Sequence, residues 1–521
     1  MRNNRTSLRT TLIPLLVLLV VCILTIGSSP LFLTNPWDDS NAMLTMGRSI
    51  LHGLVPYKDV IDQRGPLLYA VFALGATIHK TSFLGIFILQ TINVLVIYRL
   101  SFKFAKDCTV TVTTAQWAAL LGPFALLSTS SFSLSGSPEE FAFTSILYLL
   151  YVINHYHQSV IAIDLKTFFF LGLNLSLVFW NKYSMIGAFA FFFIWTAYTF
   201  VYKKQFIRLL QVILISVLGF LSISLIILGY FFFHNAIQDL FQIYFVQNIT
   251  SYGKTDQTKL MQLWKMLFLI AQEIRTHYLV ALIIMIGWIK CFYKKETITL
   301  EIIIFLGTLS FVAMQHWIID YYNVIWMPFF AIALMRISSV KLPSLISDEG
   351  RNLSVNIILT AAVVFVPFIN NQNLNRLIVR KEYQSVNGSQ YNAQPMFAKI
   401  MREQTDFTRE PSLLMINSLD KGFFLSAQTV PKTNYWHKLN MSYDQLPQMY
   451  QSFANNMMHR NVDYVIVKLS EKPANTQAAL YSQINGAINE HLRHALVYNY
   501  KITATAKNNS NEFFILMHKK H

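Results

Sequence analysis

Apolar stretches of about twenty residues recur from the N-terminus to residue 370, and that recurrence limits what the chain can become. As a helix, a stretch of that length crosses roughly 30 Å of hydrocarbon while bonding its own backbone amides internally. Hydropathy places spans near 11–33, 82–98, 110–131, 139–153, 166–181, 184–201, 207–233, 275–292, 299–318, 321–338 and 352–370. Charged residues make up only 13% of the chain. That is about half the roughly 25% of soluble domains, so a large soluble enzyme is excluded. The first stretch is too long, and too poor in small residues at its end, to read as a cleaved signal; it counts as span one.

The net charge of +16 is not gathered into a basic domain, which argues against nucleic acid as a partner. Lysines and arginines sit in short groups between spans: Arg2, Arg5 and Arg9; Arg99, Lys103 and Lys106; Lys203, Lys204 and Arg208; Lys290, Lys294 and Lys295; Arg336, Lys341 and Arg351. With a cytoplasmic N-terminus every group falls on the cytoplasmic side, as topology signals do. The agreement requires 66–80 not to span, and this stretch is short, begins at Pro66 and ends in His79-Lys80. Residues 34–80 therefore read as a first outer loop carrying two helices on the membrane face, joined by a turn at 53–66. A second long outer loop covers 234–274. Cys22, Cys108 and Cys291 are scattered, without metal-ligand or disulfide spacing.

Beyond residue 370 the texture becomes polar. Runs at 412–417 and 462–467 look like buried strands, and 475–496 looks helical. The expected fold is a polytopic α-helical membrane protein of about eleven transmembrane helices, residues 1–370. A small extracytoplasmic α/β domain, 371–521, follows. The setting is a multi-pass protein of a cell membrane, with membrane lipids as surroundings; an Asn-, Lys- and Ile-rich composition points to a bacterial plasma membrane.

Chemistry concentrates on the outer face. Asp38-Asp39 follows span one; one carboxylate suffices to cap the next helix, and the second is left to act as a general base. Lys58 and Arg64 bracket Asp59 and Asp62, and a guanidinium at headgroup depth can grip phosphate through two nitrogens. Ser137-Pro138-Glu139-Glu140 opens span four with an N-cap, a first-turn proline and two acids favoured by the helix dipole. Lys182 is a cation against the charge trend, either snorkelling or meeting an anion. His316, Asp320, Tyr321 and Tyr322 crowd the rim before Pro328; one His with one acid is too little for a metal site. No Walker loop, GxSxG, HExxH or GxGxxG supports nucleotide-driven transport or soluble-type hydrolysis.

In order and sidedness these pieces resemble the GT-C superfamily of membrane glycosyltransferases, which includes protein O-mannosyltransferases and aminoarabinose transferases. The matching residues are Asp38-Asp39, the turn Gly53-Leu54-Val55-Pro56-Tyr57-Lys58-Asp59, Arg64-Gly65-Pro66-Leu67, Glu139-Glu140, Lys182, and His316 with Tyr321-Tyr322. The resemblance implies an inverting transfer from a polyprenyl-phosphate sugar donor to an extracytoplasmic glycan, lipid or protein. Asp38 or Asp39 would be the base; Arg64, with Lys58 or Lys182, would hold the phosphate. Glu139, Glu140, His316, Tyr321 and Tyr322 would shape the pocket. Relatives carry Lys or His before Pro-Pro-Leu where this chain has Arg64-Gly65-Pro66-Leu67. No cofactor ligand set is visible, and a divalent metal could replace some of the cations. A transporter or flippase of lipid-linked sugars is the alternative, although no internal repeat is evident.

Overall fold

The computed structural model describes residues 2–32, 35, 37–108, 111–129, 134–252, 258–293, 296–315, 320–338, 392–405, 409–508 and 511–520. Before residue 339 the helices run α1 (Arg2–Thr25), α2 (Asp38–Leu51), α3 (Pro66–Ile78), α4 (Leu84–Cys108), α5 (Val112–Ala118), α6 (Leu121–Leu127), α7 (Pro138–His155), α8 (Leu165–Lys182), α9 (Gly187–Tyr202) and α10 (Phe206–Phe233). They continue as α11 (Ile237–Leu240), a π-helical stretch Phe241–Tyr252, α12 (Lys259–Thr276), α13 (Tyr278–Tyr293), α14 (Thr299–Ala313) and α15 (Met327–Ser338). Two compact units result. One gathers Met1–Ser29, Ile88–Ile227 and Asp256–Leu374; the other gathers Pro30–Phe87, Leu228–Thr255 and Asn375–His521. The stretch Pro30–Phe87 thus groups with the C-terminal residues.

Among the described residues, α4 and α10 are each long and apolar enough to cross a membrane. The pairs α8–α9 and α12–α13 bend by 116° and 89°, giving up to four spans if each pair counts as one. The other apolar helices are shorter, so the expected eleven spans are not established by length, and the one at 352–370 lies outside the described residues. The stretch expected to form a second outer loop, 234–274, contains helix among its described residues. Residues 259–276 form α12, nearly perpendicular to α13, with Leu260, Leu263, Trp264, Leu267 and Phe268 exposed.

Close approach holds the first unit together. A Cβ on Gly172 of α8 would overlap the Ser216 backbone of α10, so only glycine permits this crossing. One to two turns along, the Ser176 and Ser224 hydroxyls lie 3.1 Å apart, and Trp180 Nε1 donates to Ser224 at 2.8 Å. Arg336 departs from its expected place as a topology signal. It is buried and paired with Glu301 of α14 at 2.7 Å, and Trp288 of α13 donates to the same carboxylate at 2.8 Å. A buried cation in an apolar bundle needs such a partner, which is why the local charge count misread it.

In the second unit α2 and α3 pack so tightly that a Cβ on Gly47 would sit 2.5 Å from the Phe72 backbone carbon. The C-terminal part adds α16 (Ala393–Gln404), β1 (Leu413–Ile416), α17 (Phe423–Ala427), α18 (Pro447–Met458), β2 (Tyr464–Leu469), α19 (Gln477–Ala487), α20 (Glu490–Asn499), β3 (Tyr500–Lys507) and β4 (Phe513–Lys519). The sheet order is β1-β2-β4-β3, with β1 and β2 parallel and the other pairs antiparallel. The two expected strands and the helical stretch are present, the latter as two helices, and β3 and β4 complete the sheet.

Asp463 ties the starts of β1 and β2 to the end of β4. It accepts from Ser412 N–H at 3.1 Å and Ser412 Oγ at 2.8 Å, and pairs with Lys519 at 2.9 Å and Arg409 at 2.7 Å. Burial pushes its carboxyl up, but the bonds from Lys519 and Ser412 outweigh that and hold it down at about 2. A depressed carboxyl contributes stability above its unfolded value of about 3.9, lost as pH falls through the folded value. Asp463→Asn should therefore lower the melting temperature at neutral pH. The gap to wild type should narrow as pH drops below about 4, toward the folded value. A gap that stays constant across that window contradicts the assignment.

Candidate functional site

Helix α2 starts at Asp38, with Trp37 as its N-cap residue making no side-chain cap bond. Neither aspartate caps the helix by a side-chain bond. Both lie in the first turn, where the N-terminal dipole favours negative charge. The side chains differ in access, Asp38 being 52% exposed and Asp39 17%.

The turn that follows is built around Tyr57, a bulky residue at φ 68°. This left-handed backbone costs roughly 1–2 kcal/mol for a non-glycine residue. Burial offsets it: the ring packs against Tyr69, Phe231 and Tyr244 at centroid distances of 5.7, 5.6 and 6.4 Å. Tyr57 Oη donates to the Arg64 carbonyl at 2.6 Å, Arg64 N–H donates to Tyr69 Oη at 3.0 Å, and Asn248 of the π-helical stretch donates to the Gln63 carbonyl at 2.8 Å. Arg64 is thereby fixed immediately before α3.

Arg64 joins two carboxylates. One terminal nitrogen meets Asp39 Oδ2 at 2.7 Å, and the other meets both oxygens of Asp62, at 2.8 and 2.7 Å. Asp62 is fully buried. Burial pushes its carboxyl up, but Arg64 beside it, with help from His437, holds it well below the usual carboxylate range. Both terminal nitrogens of the guanidinium are thus engaged by carboxylates, and it orients Asp39. Lys58 is elsewhere on the turn, exposed, donating to the His234 carbonyl at 2.9 Å.

Three further residues meet this cluster from the C-terminal part of the same unit, and none was singled out from sequence. His437 Nε2 lies 3.4 Å from Asp62 Oδ2, long for a hydrogen bond, while its Nδ1 accepts from Asp420 N–H at 3.0 Å. Asp420 accepts from Thr45 of α2 at 2.8 Å. Lys421 Nζ contacts Asp38 and pairs with Glu512 at 2.9 Å. A readable signal was Asp420-Lys421-Gly422 closing an apolar strand, a turn motif rich in charge.

The first unit holds a separate group. Ser137 caps α7, accepting from Glu140 N–H, and Pro138 begins the helix, as expected. Asn181 donates to the Pro138 carbonyl at 2.7 Å, bringing the end of α8 to the start of α7. Lys182 then pairs with buried Glu139 at 2.7 Å and lies 4.1 Å from the centroid of Tyr322. Glu140 is not part of this group. It is buried and accepts from Gln90 of α4 at 3.0 and 2.8 Å and from Gly136 N–H at 3.2 Å, an anchor for the helix start. His316 lies outside the described residues, as does the Tyr321 side chain. Among the described residues no group of three or more His, Cys, Asp or Glu side chains is arranged to hold a metal.

This helical architecture with a small C-terminal sheet is a fold shared with solved structures. It is similar to ArnT from Cupriavidus metallidurans in the apo state, with a TM-score of 0.59 and 11% identity, covering 99% of this chain and 98% of that one. The same protein bound to undecaprenyl phosphate matches with a TM-score of 0.57 and 10% identity, over 98% and 97% of the two chains. No protein-family model matches the sequence, and no curated protein matches it.

Removing one partner of a buried pair strands the other charge, at a cost of about 3–5 kcal/mol. Asp62→Ala should destabilise the detergent-solubilised protein by about that amount, read from denaturant or thermal unfolding. Unchanged unfolding would show that the Asp62–Arg64 pair does not hold the turn.

Proposed function

We propose that this chain is a membrane glycosyltransferase that moves a sugar from a polyprenyl-phosphate donor to an extracytoplasmic glycan, lipid or protein, with inversion. The observation that carries the reading is the aspartate pair in the first turn of α2, with Asp39 gripped by Arg64 at 2.7 Å. It occurs on a fold shared with ArnT, which has been solved with undecaprenyl phosphate bound. On this reading residues 1–370 form the membrane domain, with the N-terminus in the cytoplasm. Residues 371–521 lie outside a bacterial plasma membrane.

Asp38 or Asp39 takes the proton of the acceptor hydroxyl as its oxygen attacks the anomeric carbon. The bond from that carbon to the phosphate oxygen breaks on the opposite side, and the lipid phosphate leaves with the electron pair. Arg64 keeps Asp39 aimed. Cations stabilise charge on the departing phosphate, a role open to Lys58, which is exposed on the same turn as Arg64.

The test is a transfer assay in reconstituted membranes with a panel of polyprenyl-phosphate sugars, comparing wild type, Asp38→Asn and Asp39→Asn. At least one substitution should lower turnover by about a hundredfold or more, the range for losing a general base, with donor binding retained. Equal turnover in all three removes the aspartates from catalysis. Movement of the donor across the bilayer without glycosylated product would favour a flippase.

A further inference from the structure

Resting on the transferase reading, we infer that the C-terminal domain completes the catalytic aspartate pair, with Lys421 as a positioning residue for Asp38. The two aspartates are adjacent in sequence, but they are held by different cations. Asp39 is held by Arg64 from its own loop, whereas Asp38 is held by Lys421, 383 residues away.

The lysine is placed by a built turn. Gly422 at φ 93° allows the chain to reverse after β1, and Asp420 Oδ1 accepts from Gly422 N–H at 2.9 Å and Phe423 N–H at 3.0 Å, fixing the start of α17. The other oxygen of Asp420 takes the Thr45 hydroxyl of α2 at 2.8 Å, so the turn and the aspartate helix are bonded directly. Lys421 is largely buried, and its far side is backed by Glu512, itself paired with Lys468 from β2. Burial favours the neutral amine, but Asp38 and Glu512 outweigh it and raise the Lys421 pKa, so the side chain stays cationic at neutral pH.

His437 reaches the other aspartate through two intermediates, Asp62 and Arg64. Because Nδ1 accepts the Asp420 N–H, the imidazole proton sits on Nε2, the nitrogen that faces Asp62. Trp436 stacks on the ring at 3.9 Å and fixes its plane. Asp62 in turn holds Arg64, which holds Asp39. One segment, Asp420 to His437, therefore reaches both carboxylates by separate routes. A domain whose only task was solubility or acceptor capture would have no need for either route.

The experiment uses the full chain in reconstituted membranes. Lys421→Met should lower kcat by about tenfold or more while the KM for the donor stays within about twofold, since Lys421 acts through Asp38 and not on the donor. Lys421→Arg should recover most of the loss. In an Asp38→Asn background, Lys421→Met should add nothing, the signature of residues acting as one unit. A wild-type kcat in Lys421→Met, failed rescue by arginine, or additive losses would each overturn the proposal. If wild type transfers no sugar from any donor in the panel, the transferase reading itself fails. The placement is then decided by a short bismaleimide linking Asp38→Cys to Lys421→Cys, read by mass spectrometry of the joined peptides. A crosslink supports the contact, and its absence contradicts it.

Discussion

The bridge from Asp39 through Arg64 to Asp62 is the interaction on which the rest of the site depends. Three ionised groups in a largely buried turn would be costly singly, yet Arg64 satisfies both acids within 2.8 Å. The surrounding turn exists to keep it there: Tyr57 accepts a left-handed backbone, and Tyr69 and Asn248 bond the chain on either side of Arg64. An arginine suits this post better than a lysine, because its planar fork can serve two carboxylates at fixed angles. That explains Arg64 at a position where the resemblance led one to expect Lys or His.

The C-terminal residues belong to the same compact unit as this turn. Thr45 with Asp420, Asp62 with His437, and Ile61 N–H with the Asn434 carbonyl at 2.8 Å join segments nearly four hundred residues apart. Such joins favour a fixed geometry for the aspartates, and preorganised charge is where most electrostatic catalysis originates. Lys182, Glu139 and Tyr322 form their own cluster in the other unit, and their arrangement follows from one side-chain bond, Asn181 to Pro138.

Local signals were legible in the sequence where local physics decides the outcome. Pro66 and Ser137-Pro138 mark helix starts that the structure shows, and the apolar runs near 413 and 464 are strands. Long-range pairings were not legible. Arg336 read as a surface charge because Glu301, thirty-five residues earlier, gave no hint of partnership. The bonds from Gln90 to the Glu140 carboxylate, fifty residues apart, gave no local sign either. The pairing of Arg64 with Asp62 was hidden because Asp62 looked like an ordinary turn acid, and nothing local tied His437 to Asp62 or Lys421 to Asp38 across more than 370 residues. Strand β3 was missed for a different reason: it follows α20 with no intervening turn, and its mostly half-exposed face lacks a buried run.

The central claim is that Arg64 serves catalysis by holding Asp39. A double-mutant cycle on single-turnover sugar transfer, with Asp39→Asn, Arg64→Met and the pair, measures that link directly. The account predicts strong coupling, with the double variant no slower than the slower single one, because the arginine has no catalytic group left to aim once the Asp39 carboxylate is gone. Losses that simply multiply would show two independent roles and contradict it.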